Sequence, residues 1–163
     1  MSKLQKLGLV VSRFALPFWV GASVLFLVNA VGLTAGFKDV KIRDEMALIR
    51  FPALLICGFS SVGAAFLGLL LAGAQPTVGG AKRRKTAVTL TFLALLLMAW
   101  DYVYVYKPLE ALITPPGKTR TEEFKAQFRK LHGQSMMLNL VHVGLCGLAG
   151  LIWCWPGSSV NDR

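Results

Sequence analysis

The chain has 163 residues, 55% hydrophobic and only 16% charged, with a mean hydropathy of +0.57. Soluble domains carry about 25% charged residues, so the composition excludes an ordinary water-soluble globule and fits a chain whose solvent is mostly lipid. The formal charge of +10 sits in short segments between apolar runs; with no basic face or stacking platform it excludes a nucleic-acid binder and reads as topology signals and headgroup contacts.

The length suits one compact membrane domain, 1–163. Lys3 and Lys6 give a basic start, and Val28-Asn29-Ala30 is a weak match to a cleavage site. The apolar run between them exceeds the roughly 7–15 residues of a signal-peptide core, so it is read as a span. That first span, 14–34, is uncharged, and about 20 residues suffice to cross a hydrocarbon core of roughly 30 Å. Pro17 is expected in its first turn, where proline costs little. Ala15, Phe18, Ala22, Leu25, Asn29 and Gly32 form its less apolar face, and Arg13 is expected to snorkel to headgroups.

A polar loop, 37–49, carries charges of both signs, and its 46–49 end is expected to turn helical. The second span, 51–75, has Arg50 and Pro52 at its start. Gly58, Ser61, Ala65, Gly68 and Ala72 recur at 3-4-3-4 spacing. In lipid, small residues on one face allow the close backbone approach that holds helices together. Gln75-Pro76-Thr77-Val78-Gly79-Gly80 reads as a turn. The pattern G-x-x-x-x-G-K-[ST] of a phosphate loop is absent there. Lys82-Arg83-Arg84-Lys85 follows, a pure basic cluster of the positive-inside kind.

The third span, 86–106, carries Thr91, Ala94, Met98 and Asp101 on one face. Tyr102, Tyr104, Tyr106 and Lys107 resemble an interfacial belt. Pro108 and then Pro115-Pro116-Gly117 are expected to break the helix. Thr119 with Glu122 fits a capping box. Phe124, Phe128 and Leu131 form an apolar stripe among Lys125, Arg129 and Lys130, predicting an interfacial amphipathic helix over 120–132, with Gly133 as a hinge. The fourth span, 134–155, continues a seam of His132, Ser135, Asn139, His142, Cys146 and Ala149. A polar seam on an apolar helix faces protein rather than lipid. Trp153 and Trp155 are expected as the far belt, and Pro156-Gly157 as the stop. The predicted fold class is an all-α integral membrane four-helix bundle with an interfacial amphipathic helix before the last span.

Asp101 is the only acid within a predicted span. Placing it there costs at least ~2.5–3.5 kcal/mol on insertion scales, so a partner is expected. Arg50, Asp101 and His132 fall toward one membrane face, with Asn29 near them and His142 deeper. Arg50, Asp101, His132, Ser135, Asn139 and His142 are therefore the candidates for a polar interior or ligand site. One reading is structural: Asp101 pairs with Arg50 or accepts from a tyrosine, and His142 bonds a serine or a carbonyl. The other is a small polar cavity that passes protons or binds a cation.

His142 and Cys146, spaced i,i+4, are weak metal candidates, with Met98 and Met136 nearby. Soft ligands of this kind suit Cu(I), but two ligands are not a site, and no cofactor is expected beyond that copper alternative. Haem lacks a histidine on a second helix. Cys57, Cys146 and Cys154 all lie in apolar runs, as buried small hydrophobes rather than a disulfide framework. G-x-S-x-G, H-E-x-x-H and paired carboxylates are missing, so no enzyme is expected. Ser135 beside His132 reads as a structural contact.

Four spans place both termini and the Lys82–Lys85 loop on one side. More Lys and Arg lie on the other side, but in longer loops and on the amphipathic helix. The pure cluster in the shortest loop is given precedence, and both termini are assigned to the cytoplasm.

Phe128-Arg129-Lys130-Leu131-His132-x-x-Ser135-x-x-x-Asn139 resembles the F-x-x-L-H-x-x-S-x-x-x-N signature of the transmembrane protein 205-like family. These are small bacterial and eukaryotic membrane proteins with a domain of unknown function. Phe18-Trp19-Val20-Gly21 and the four-span layout with a long third loop are similar to it too. The resemblance implies a four-helix membrane bundle, marks His132, Ser135 and Asn139 as family positions, and lends no activity. Copper-resistance membrane proteins are distantly alike, but the Met- and His-rich outer loops copper would want are missing here.

Two function classes follow. One is a non-catalytic structural or accessory component of a membrane assembly, with lipid and either membrane-protein partners or further copies around it. The other is a minimal transporter or cation-binding module built on Asp101, His132 and His142. A bacterial cytoplasmic membrane is the expected location.

Overall fold

The computed structural model of the chain describes residues 1–73 and 80–155, the side chain of Thr34 apart. The expected turn over 75–80, apart from Gly80, and the Pro156-Gly157 stop lie outside the described residues. Four long helical runs make up the described residues, and no strand occurs among them. They are α1 (Lys3–Gly36), α2 (Val40–Ala72), a composite third run and α5 (Glu122–Cys154). The third run consists of α3 (Gly80–Asp101), a π-helical turn (Tyr102–Tyr106) and α4 (Lys107–Ile113). All four runs are long and apolar enough to cross a membrane. At about 1.5 Å per residue, 33 residues of α2 or α5 outreach a hydrocarbon core of roughly 30 Å, so their ends extend into the headgroup layers. The chain is an all-α membrane four-helix bundle.

The helices begin before the apolar runs because polar caps start them. Ser2 and Gln5 form a reciprocal capping box at α1, and Asp39 accepts from the Lys41 N–H at α2. Each satisfies first-turn donors that the helix itself cannot. Pro17 therefore lies inside α1 rather than in its first turn. The cap of α5 is Thr121, whose hydroxyl accepts from the Phe124 N–H at 3.2 Å. Thr119 and Glu122 have the spacing of a box, but the helix begins two residues later than that pair requires.

Pro108 does not break the third run. The π turn before it widens the backbone, with Lys107 N–H bonding Tyr102 carbonyl, and Pro108 falls in the first turn of α4. A missing N–H costs least there. The amphipathic segment before the last span is the start of α5 itself, continuous through Gly133. Its apolar stripe turns inward: Phe124 is buried and Phe128 half-buried.

α1 packs chiefly on α2, and α3 on α5, with α5 also touching α1. The small-residue face of α2 is the α1 groove. A Cβ on Gly68 would stand 2.8 Å from the Gly8 carbonyl oxygen and 3.0 Å from the Ser12 nitrogen. Glycine allows this approach, the main source of helix cohesion in lipid. Ser12 is buried there. It donates to the Gly8 carbonyl at 2.8 Å and accepts from Trp153 Nε1 at 2.9 Å, joining α1 to α5. Trp153 is thus a core residue rather than a belt residue; it extends the buried His142, Cys146, Ala149 stripe by one more turn. Of the two expected belt residues, Trp155 is the exposed one.

The buried face of α1 also differs from expectation. Gly8, Ser12, Leu16 and Trp19 point inward, while Phe18, Leu25 and Asn29 are exposed. The contact with Gly68 sets this phase. Arg13 lies inside the long helix, with its Nε buried.

Candidate functional site

The six sequence candidates fall into two separate places. Asp101, Ser135, Asn139 and His142 meet in the bundle interior, where α3 faces α5. The buried stripe Thr91, Ala94, Met98, Asp101 on α3 matches the seam on α5, because both recur at helical spacing. The Ser135 hydroxyl donates to Asp101 Oδ2 at 3.2 Å. Asn139 Nδ2 donates to the Ser135 carbonyl at 2.8 Å and stands 3.4 Å from the same carboxylate oxygen. His142 Nε2 donates to Asn139 Oδ1 at 3.1 Å. The Trp19 ring covers the imidazole, stacked at 5.9 Å between centroids.

The Arg50–Asp101 pair does not form. No cation lies within ion-pair distance of Asp101 among the described residues, and α5 supplies neutral donors instead. Asp101 Oδ1, His142 Nδ1 and Trp19 Nε1 are buried without a hydrogen-bond partner. Met98 is a packing residue: its methyl and the Trp19 ring occupy the space that a Cβ on Gly58 would need. Cys146 is buried one turn beyond His142 and unbridged. Among the described residues, no three His, Cys, Asp or Glu side chains stand close enough to share a metal ion.

Arg50 and His132 belong to a different place. They line a pocket of about 270 Å³ at the end of the bundle holding the 37–39 and 114–121 loops. The Arg50 guanidinium lies over the Phe26 ring at 4.9 Å, and His132 stacks on Phe128 at 5.4 Å. Across the pocket, Arg120 pairs with buried Asp44 at 2.6 Å, and the Gly117 N–H donates to the same carboxylate. Glu110 is held by Lys107 at 2.7 Å and by the Tyr106 hydroxyl. Tyr106 is buried here, unlike its exposed neighbour Tyr104.

Sequence reasoning missed Trp19, Ser12 and the Asp44–Arg120 pair. Trp19 was legible only as part of Phe18-Trp19-Val20-Gly21. Asp44 and Arg120 are 76 residues apart, and no spacing rule joins the first turns of α2 to the loop before α5. The basic cluster has a structural side as well. Arg84 donates to the Leu69 and Leu70 carbonyls at 2.9 Å each, capping α2, and Arg83 donates to the Trp155 carbonyl beyond α5. Last-turn carbonyls lack helical partners, and basic side chains satisfy them.

Fold and interior together define the class: an integral membrane four-helix bundle stitched by one buried polar chain. Comparison with family models, with curated proteins and with solved structures finds no match.

Proposed function

We propose that this protein is a non-catalytic structural or accessory component of a membrane assembly, of the transmembrane protein 205-like kind. The observation that carries this is that the polar interior bonds within the bundle: Asp101 Oδ2 accepts from Ser135 and Asn139, and His142 Nε2 bonds Asn139. An amide N–H is too weakly acidic to hand a proton on as a hydroxyl or imidazole does, so Asn139 interrupts any relay from Asp101 to His142. Polar groups bonded to one another across helices act as glue in lipid.

The outward face of α1 supports a partner. Asn29 is exposed within the uncharged stretch of that helix, and added Cβ atoms at Gly21, Gly32 and Gly36 meet nothing within 4 Å. A primary amide facing hydrocarbon is costly unless a neighbouring helix bonds it. With the Lys82–Lys85 end taken as cytoplasmic, on the strength of its pure basic cluster and against the larger count of Lys and Arg at the other end, the pocket end lies on the outer face of a bacterial cytoplasmic membrane.

A second reading, a minimal proton or cation module, is favoured by the unpartnered Asp101 Oδ1 and His142 Nδ1. Native mass spectrometry with elemental analysis, on protein from mild detergent, separates the two. The accessory role expects a metal-free species with stoichiometric partners or further copies, and liposome proton flux equal to that of empty vesicles. Flux above that baseline, abolished by Asp101→Asn, would instead establish the transport module.

A further inference from the structure

We propose that the pocket between Arg43, Arg50 and Arg120 binds the headgroup of one anionic phospholipid. Charge points to the anion. Three guanidiniums line this pocket against two carboxylates, Asp44 and Glu110. Asp44 is held by Arg120, and Glu110 by Lys107 from outside the pocket and by Tyr106. Arg43 and Arg50 have no acid partner among the described residues. Arg43 Nε and Arg120 Nε are buried and donate to nothing. A buried, unsatisfied guanidinium N–H is costly, and a phosphate accepts from such forks in pairs.

Depth and walls point to a lipid as the source of the phosphate. Arg50 immediately precedes the apolar stretch of α2, and Arg120 lies just before α5. These are headgroup levels for helices that outreach the hydrocarbon core. Phe26, Leu33, Leu109 and Ile113 supply an apolar wall beside the arginines. Basic pockets between membrane helices at this level suit phospholipid headgroups. A pocket of about 270 Å³ lies just below the roughly 300–1,000 Å³ of sites for drug-sized ligands. It has room for a phosphate and its glycerol, with the acyl chains left to run along the bundle in the bilayer.

The test uses the full chain, delipidated in neutral detergent. Short-chain phosphatidylglycerol, phosphatidylcholine and inorganic phosphate are each titrated, with native mass spectrometry and Tm as readouts. Phosphatidylglycerol is expected to bind one to one and raise Tm, while the other two do neither at equal concentration. The Arg43→Gln/Arg50→Gln variant is expected to bind it roughly tenfold more weakly or worse, since hydrogen bonds to charged groups are the strong ones. Lys82→Gln/Lys85→Gln, at the opposite end, is expected to bind as the wild type does. If the arginine variant fails to fold, the wild-type contrast between the two lipids decides. Equal binding of phosphatidylcholine would overturn the charge assignment. Equal stabilisation by inorganic phosphate would overturn the lipid assignment, and equal loss in the lysine variant would reduce the effect to non-specific charge.

Discussion

Gly8→Ala tests the contact that sets the phase of α1. The new Cβ would stand 2.6 Å from the Gly68 carbonyl oxygen and 2.8 Å from the Ala72 nitrogen. Both are backbone atoms of a packed helix and cannot rotate away. Optimal contacts lie at about 3.5–4.0 Å, so α1 and α2 must part by roughly 1 Å. Overpacking of this kind costs about 1–3 kcal/mol. Displacing α1 also strains the 2.9 Å bond from Trp153 Nε1 to Ser12, a further contribution of about 1 kcal/mol. Alanine's better helix propensity offsets at most about 1 kcal/mol, so a net loss of roughly 1–3 kcal/mol is expected. Gly63→Ala is the control, because its Cβ meets nothing within 4 Å. Equilibrium unfolding with sodium dodecyl sulfate in mixed micelles, followed by tryptophan fluorescence, measures both. Equal stability of the two variants would refute the close approach and the helix phase derived from it.

Three further outcomes are expected from the same assay. Ser12→Ala removes the acceptor of Trp153 Nε1 and leaves a buried donor unpaired, costing about 1–3 kcal/mol; an unchanged midpoint would mean that Trp153 finds another acceptor. Asp101→Ala strands Ser135 and Asn139, and a double-mutant cycle with Ser135→Ala should return a coupling of about 0.5–3 kcal/mol. Additive single effects would dissolve the interior chain. Arg84→Ala uncaps two carbonyls of α2 and should cost about 1–2 kcal/mol, whereas Lys85→Ala should stay within about 0.5 kcal/mol of wild type. Matching losses would make the cluster a topology signal only.

The number of helices, their apolar runs and the inward faces of α2, α3 and α5 were all legible in the sequence. Gly58 to Ala72, Thr91 to Asp101 and Ser135 to Ala149 are stripes of small or polar residues at helical spacing, set against large apolar neighbours. In lipid such a stripe can face only protein, so composition and period suffice to place it. The same period brought Asp101 opposite Ser135 and Asn139.

What the sequence could not determine is wherever that contrast fails. α1 shows no face of small or polar residues set against large apolar ones, so it takes the tertiary contacts, Gly8 against Gly68, Ser12 with Trp153 and Trp19 over His142, to turn Trp19 inward and Asn29 outward. Trp153 has the composition of a belt residue and becomes core because Ser12, 141 residues away, offers an acceptor. The hinge expected at Gly133 and the break expected at Pro108 were local propensities, overruled by continuous packing of α5 and by the π turn before α4. The separation of Arg50 from Asp101 was beyond reach for the same reason. Helical period assigns a residue to a face, but only the packed bundle fixes which charges lie close enough to neutralise one another, and here it placed Arg50 and Arg43 together at the rim.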